Sequence, residues 1–342
     1  MSNQGETGTA PMAPSERAVK KTAAAQEKSG QARRRQWRIC GATLAVTAAL
    51  LVIMFVAEGL YPFGEKVLRY ADGDQSFGLI GYVQSTFFSD NNLLYSWSTV
   101  LGGNMMGTWA FYSASPFNLL TVFFADNLVL GYHVILLLKF LAAALCFSIM
   151  LQWVFPSADA KLIVLFSSCY PFIGYMTYYI WNQSWMDGVI LLPLVALGIW
   201  QILRCRRPLL YIAALALSLL SNYYTGYMIC LASVLLLAGG AVLTFRSLSR
   251  DLMWTVVWYA VATAVAAALA AALLLPTYRA LPEDRELSLQ ELFEDVHYDS
   301  TPQETLSMLF TGSMDDMTWA TVKTIRSYTR ESSSWCWLFC SS

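Results

Sequence analysis

From position 37 onward the chain alternates long apolar runs with shorter polar stretches rich in aromatic residues. The runs fall at 39–57, 128–155, 162–180, 189–203, 209–220, 227–245 and 253–275. A helix needs about 20 apolar residues to cross a bilayer, so the pattern predicts a bundle of about seven spans. The run at 209–220 is short. The polar stretch after it, Ser221-Asn222-Tyr223-Tyr224-Thr225-Gly226, is expected to dip into the membrane interior, where non-helical backbone persists only against protein or water. Between the first two runs lies a long mixed segment, 58–127. Its apolar pieces, such as 78–88, are too short to span and are read as amphipathic helices along the membrane surface. Pro116 should end a helix before it or open one at its first turn.

The ends are different. Residues 1–36 are polar, rich in Ala, Ser, Gln and Lys, and show no apolar period, which predicts an unordered tail. No cleavage pattern precedes the first run, which reads as an uncleaved anchor. Residues 277–342 are mixed, with acidic patches such as that at 291–295. The expected architecture is therefore an all-α polytopic bundle, 37–276, between a tail at 1–36 and an outer segment at 277–342.

Composition agrees. The chain is 56% hydrophobic and 13% charged, against about 25% charge in soluble domains. Its 12 Trp and 18 Tyr fall largely at the ends of apolar runs, as an interfacial belt requires. The net charge of −1 conceals an asymmetry. Basic residues cluster at Arg33-Arg34-Arg35 with Arg38, at Arg204-Cys205-Arg206-Arg207, and at 246–250. The positive-inside rule places these, and the N-terminus, in the cytoplasm. The polar clusters at 72–75, 112–118, 182–187 and 222–224 then all reach the outer face. Because the basic loops alone set the sidedness, that agreement is separate information. The basic runs sit at membrane edges and indicate lipid contact, not nucleic acid. The seven Cys form no disulfide framework or zinc pattern.

Several residues could carry chemistry on the outer face. Asp72 and Asp74 are suited to act as general base toward a hydroxyl, or to hold a divalent metal and through it a phosphate. The plain alternative is a solvated carboxylate pair, since this spacing recurs by chance. No other cofactor is suggested. Asn182, Trp185 and Asp187 read either as an interfacial loop or as a sugar site, with Trp on a ring face and the polar groups on its hydroxyls. Asn222, Tyr223 and Tyr224 could line a polar groove. Gln75, Asn104 and Tyr112 are further outer-loop candidates for substrate contact. Lys139 lies deep in the second run, where a cation is costly and needs a partner; a lipid-linked phosphate or a buried Asp would serve. His133, earlier in that run, reads as a hydrogen-bonded packing residue. Nucleotide-loop, zinc-protease and serine-hydrolase motifs are absent from the sequence.

Ordered motifs across 55–280 carry a resemblance. They are Tyr61-Pro62-Phe63-Gly64, Asp72-Gly73-Asp74-Gln75, Tyr95-Ser96-Trp97 with Gly102-Gly103-Asn104, and Ser115-Pro116-Phe117-Asn118. Trp181-Asn182 with Trp185-Met186-Asp187-Gly188, Leu191-Leu192-Pro193-Leu194, and Asn222-Tyr223-Tyr224-Thr225-Gly226-Tyr227 follow. Together they resemble the bacterial YfhO membrane proteins. The resemblance implies a polytopic glycosyltransferase of the GT-C superfamily in the bacterial cell membrane. Such an enzyme takes a sugar from a polyprenyl-phosphate carrier and gives it to a cell-envelope glycopolymer, here one resembling teichoic acid. It keeps its catalytic Asp in the first outer loop, which points to Asp72 or Asp74, with the spacing to Gln75 slightly favouring Asp72. Members of the family are much longer, so the resemblance also implies that 277–342 begins a truncated remainder, and it leaves both an active enzyme and an inactive fragment open for this chain. Two other classes stay open: a flippase or transporter of lipid-linked sugar, and an envelope assembly protein without chemistry.

Overall fold

A computed structural model describes residues 16–68, 73–89, 94–97, 102–205, 207–245 and 250–280, with side chains for these except 16–29, 73, 74 and 280. The first helix, α1, runs Glu16–Glu58. Residues 16–36 thus belong to a helix where the composition predicts unordered chain. The stretch is rich in Ala, Glu, Lys, Gln and Arg, all strong helix formers. Nucleation is the unfavourable step in helix formation, and the apolar span supplies the nucleus from which the helix extends.

The segment 58–127 folds as short elements. These are α2 (Gly73–Ser85), the strands β1 (Tyr95–Ser96) and β2 (Gly103–Asn104), α3 (Met106–Tyr112) and a 3-10 helix at Pro116–Phe124. The strands pair antiparallel, Tyr95 opposite Asn104. Pro116 opens the 3-10 helix, and the Ser115 side chain accepts from the Phe117 amide. Ser76, Ile80 and Val83 are buried along one face of α2, the spacing of an amphipathic helix. That face packs on protein: the Gln84 side-chain amide donates to the carbonyls of Thr121 and Phe124.

The long helices follow: α4 (Leu128–Val154), α5 (Ala160–Cys169) continued by α6 (Gly174–Tyr178), α7 (Met186–Cys205), α8 (Leu209–Ser221), α9 (Tyr223–Thr244) and α10 (Arg250–Ala280). Among the described residues, six helical segments are long and apolar enough to cross a membrane: Gly30–Glu58, Leu128–Val154, Ala160–Tyr178, Gln183–Cys205, Tyr223–Thr244 and Arg250–Arg279. The seventh expected span, α8, has 13 residues and reaches only about 20 Å at 1.5 Å per residue. It lies among α7, α9 and α10, so most of its surface meets protein and need not match the bilayer thickness. The polar stretch expected to dip between α8 and α9 contracts to one extended residue, Asn222.

Two apolar cores share α7. One joins α7 to α8, α9 and α10 through Val195, Ile199, Tyr211, Leu215, Ile229 and Ala262. The other joins it to α1 and α4 through Leu51, Phe55, Leu136, Phe140, Met186 and Ile190. Gly198 lets α7 and α8 touch, because a Cβ there would sit 2.6 Å from the Tyr211 Cα. Hydroxyls add cross-links: Tyr211 bonds Ser233 at 3.2 Å and Thr263 at 2.9 Å, and Ser233 meets Tyr259 at 2.6 Å. Small and hydroxylated residues at such contacts are the usual glue between helices in lipid.

The bundle has two distinct ends. At one, Arg35 donates to the carbonyls of Pro156 and Ala158 in the α4–α5 turn, and Arg204 shares a groove with Val154 and Thr244. At the other, Asn127 donates to the Tyr61 hydroxyl at 2.9 Å, Tyr132 bonds the Trp181 carbonyl, and Asn222 straps Phe111. The described basic clusters and the described polar clusters therefore occupy opposite ends.

Candidate functional site at the loop end

The site rests on a buried ion pair. Lys139 of α4 is fully enclosed, and its ammonium lies 3.0 Å from an Asp187 carboxylate oxygen in the first turn of α7. It also donates to the Gln183 carbonyl at 2.7 Å and sits 5.5 Å from the centre of the Phe117 ring. The start of α7 suits a carboxylate, which the positive end of the helix dipole stabilises. A short 3-10 turn, Gln183–Trp185, leads into that helix and directs the Gln183 carbonyl at the lysine. The Gln183 side-chain amide donates to the Tyr132 carbonyl at 2.9 Å, and the Tyr132 hydroxyl donates to the Trp181 carbonyl at 2.9 Å. Phe77 of α2 packs edge-on against Tyr132 at 5.5 Å. One continuous network thus ties α2, the 3-10 helix, α4 and α7 together beneath the loops.

An aromatic cluster lies beside it. Phe111 touches the rings of Tyr112, Trp185, Tyr223 and Tyr224 at 4.6–6.4 Å. Trp185 continues to Tyr179 at 5.1 Å, and Tyr179 to Tyr175 at 4.9 Å. Between α6, α7 and α9 the rings of Tyr175, Tyr179, Trp185 and Tyr224 wall a cavity of about 320 Å³ that Thr225 and Gly188 also line. The Asn222 side chain builds the approach of α9. Its carbonyl accepts from the Thr225 amide as the N-cap, and its amide donates to the Phe111 carbonyl. Capping of this kind is worth about 1 kcal/mol.

The sequence candidates divide by environment. Asp72 lies outside the described residues. Asp74 is in the first turn of α2, three residues before Phe77. Gln75 and Asn104 are exposed; the Asn104 side chain accepts from the Met106 amide and so helps start α3. Tyr112, Trp185, Tyr223 and Tyr224 belong to the aromatic cluster. Lys139, Asn182, Asp187 and Asn222 are buried. Lys139 meets Asp187, the buried-Asp alternative among the two partners its position called for, and the Asn222 amide donates to backbone. Asn182 accepts from the Ser184 hydroxyl at 2.5 Å, while its own amide nitrogen has no hydrogen-bond partner. His133 is a packing residue, bonded to the Val129 carbonyl at 2.8 Å and edge-on to Phe55 at 6.0 Å. Sequence reasoning missed Gln183, Phe111, Tyr175, Tyr179 and Thr225. The tyrosines gathered at the end of the third apolar run were the available signal. Among the described residues no three His, Cys, Asp or Glu side chains gather as metal ligands.

Fold and site together define a polytopic helical membrane protein with a polar and aromatic site at one end of its bundle. The family model for the bacterial membrane protein YfhO matches residues 43–329, and the chain belongs to that family. The match extends beyond the stretch 55–280 over which motifs carry the resemblance. No curated protein and no solved structure matches the chain.

Proposed function

We propose that the chain is built as a glycosyltransferase that moves a sugar from a polyprenyl-phosphate carrier to a cell-envelope glycopolymer resembling teichoic acid, on the outer membrane face. The observation that supports this most is convergence. Rings and amides from α3, the α6–α7 turn and the α8–α9 junction gather at the bundle end opposite the arginines. The helix bearing Asp74 packs beside them through Phe77 and Tyr132. Membership of the YfhO family agrees with it.

In this reading Asp72 or Asp74 takes the proton of an acceptor hydroxyl. The hydroxyl oxygen attacks the anomeric carbon, the bond from that carbon to the phosphate oxygen breaks, and its electron pair leaves with the lipid phosphate. A single displacement inverts the anomeric centre. Lys139 is assigned to architecture, because Asp187 and Gln183 already hold its ammonium. Asp72 and Asp74 are the residues that would hold a divalent metal.

One observation favours a second reading, a transporter of lipid-linked sugar: the ion pair lies within membrane-crossing helices, where charged residues often mark a pathway. Proteoliposomes loaded with a labelled polyprenyl-phosphate sugar and an acceptor separate the two. The transferase reading predicts labelled polymer from the wild type and none from the double variant Asp72→Asn/Asp74→Asn at equal protein yield. Full transfer by the double variant removes the proposed base, and carrier flux without any polymer labelling supports the transporter.

A further inference from the structure

The cavity between α6, α7 and α9 contains two polar groups without partners. The Thr225 hydroxyl and the Trp185 indole N–H are both buried and have no hydrogen-bond partner, and both residues line the cavity. Thr225 is 7% exposed. Leaving a buried donor or acceptor unpaired is costly, a cost that an interface of packed hydrocarbon does not incur. Gly188 stands directly beside this hydroxyl and lends it no side-chain partner; a Cβ there would lie 3.2 Å from the Thr225 oxygen.

The walls specify what could fill the space. Tyr175, Tyr179, Trp185 and Tyr224 offer ring faces and hydroxyls, and among the described residues no acid, lysine, arginine or histidine lines the cavity. A phosphate would find no counter-charge. A neutral ring carrying hydroxyls would find aromatic faces for its C–H edges and unpaired polar groups for its oxygens. The volume of about 320 Å³ lies at the small end of ligand sites, which suits one ring and not a chain of them. Tyr224 and Met228 are 42% and 45% exposed on the outward side of α9, where the bundle faces lipid. The cavity lies at the first turns of α7 and α9, so a ring entering there could stay attached to a lipid tail.

We propose that this crevice is a monosaccharide pocket, entered from the lipid side, in which the Thr225 hydroxyl and the Trp185 N–H bind the hydroxyls of a lipid-attached sugar. The proposal deepens the transferase reading by naming where the donor sugar sits, and its test does not require turnover. The probes are diazirine-bearing octyl glycosides of a hexose and of an N-acetylhexosamine, with octyl phosphate bearing the same group as the control. Each is photolysed with the full-length protein in lipid nanodiscs, and the labelled peptides are mapped. At least one glycoside should label the peptides holding Tyr175 and Tyr179 or Tyr224 and Met228, well above octyl phosphate. Thr225→Val and Trp185→Phe should each reduce that labelling about tenfold, near the loss of one hydrogen bond. Thr225→Val also separates binding from structure, since removing an unpaired buried hydroxyl should leave the melting temperature unchanged or raise it. Equal labelling by octyl phosphate, no labelling by either glycoside, or wild-type labelling of Thr225→Val overturns the pocket. Specific labelling without sugar transfer in proteoliposomes keeps the pocket and removes the transferase.

Discussion

Lys139 and Asp187 show how one residue constrains the rest. A single charge inside a membrane helix demands compensation, and here the ion pair and the Gln183 carbonyl together supply it. Removing one partner of a buried pair leaves an uncompensated charge, which costs roughly 3–5 kcal/mol, whereas replacing both with apolar groups of similar size is often neutral. Lys139→Met and Asp187→Leu are therefore each expected to lower the melting temperature in detergent strongly, and the double variant to recover most of the loss. A double variant no more stable than the singles would show that the pairing is not what holds this layer. The sequence was enough to require a partner for Lys139 and to name a buried Asp as one kind of partner. It did not identify Asp187, because a carboxylate just after Trp181-Asn182 reads as part of a wet loop. Its burial depends on α4 packing against the start of α7, which no local pattern encodes.

At the scale of elements, the close approach of α7 and α8 carries the most weight. Gly198 stands against the backbone of Tyr211, and moving backbone is harder than turning a side chain. Gly198→Ala should cost about 1–3 kcal/mol, the usual range for overpacking. Gly239→Ala on α9 is the control: a Cβ there meets nothing within 4 Å, and a helical Gly→Ala change in open space is expected to stabilise by up to about 1 kcal/mol. Thermal unfolding of the two variants in one detergent checks the contrast. Equal melting temperatures would show that α8 has room to shift. The short length of α8 was legible as a short apolar run, but its meaning was not. A helix enclosed by three others is released from the length rule that governs lipid-facing spans, and enclosure is a property of the packed bundle.

For the whole molecule the testable property is sidedness. The structure separates an arginine-bearing end from a loop end, and the charge rule predicts that the first faces the cytoplasm. In a background with the native cysteines replaced, Glu65→Cys at the exposed loop end should react with a membrane-impermeant maleimide in intact cells. Lys161→Cys, exposed beside Arg38 at the other end, should react only after permeabilisation. The reverse pattern would place the aromatic cluster and the carboxylate-bearing helix on the cytoplasmic face and end the outer-face proposal.

The sequence by itself determined the class of protein, the positions of the six long spans, the clustering of basic residues and the family. These follow from a requirement local to each segment: a bilayer accepts only runs of sufficient apolar length, and charge next to a run biases its orientation. Tertiary structure decided which polar residues serve the fold and which border open space. Asn222 became a cap and strap, Asp187 became the partner of Lys139, and Thr225, unremarkable in the sequence, became an unpaired hydroxyl in an aromatic cavity. Those outcomes depend on which helices meet and at what depth. That contact energy is shared between distant segments and so cannot be read from either one alone.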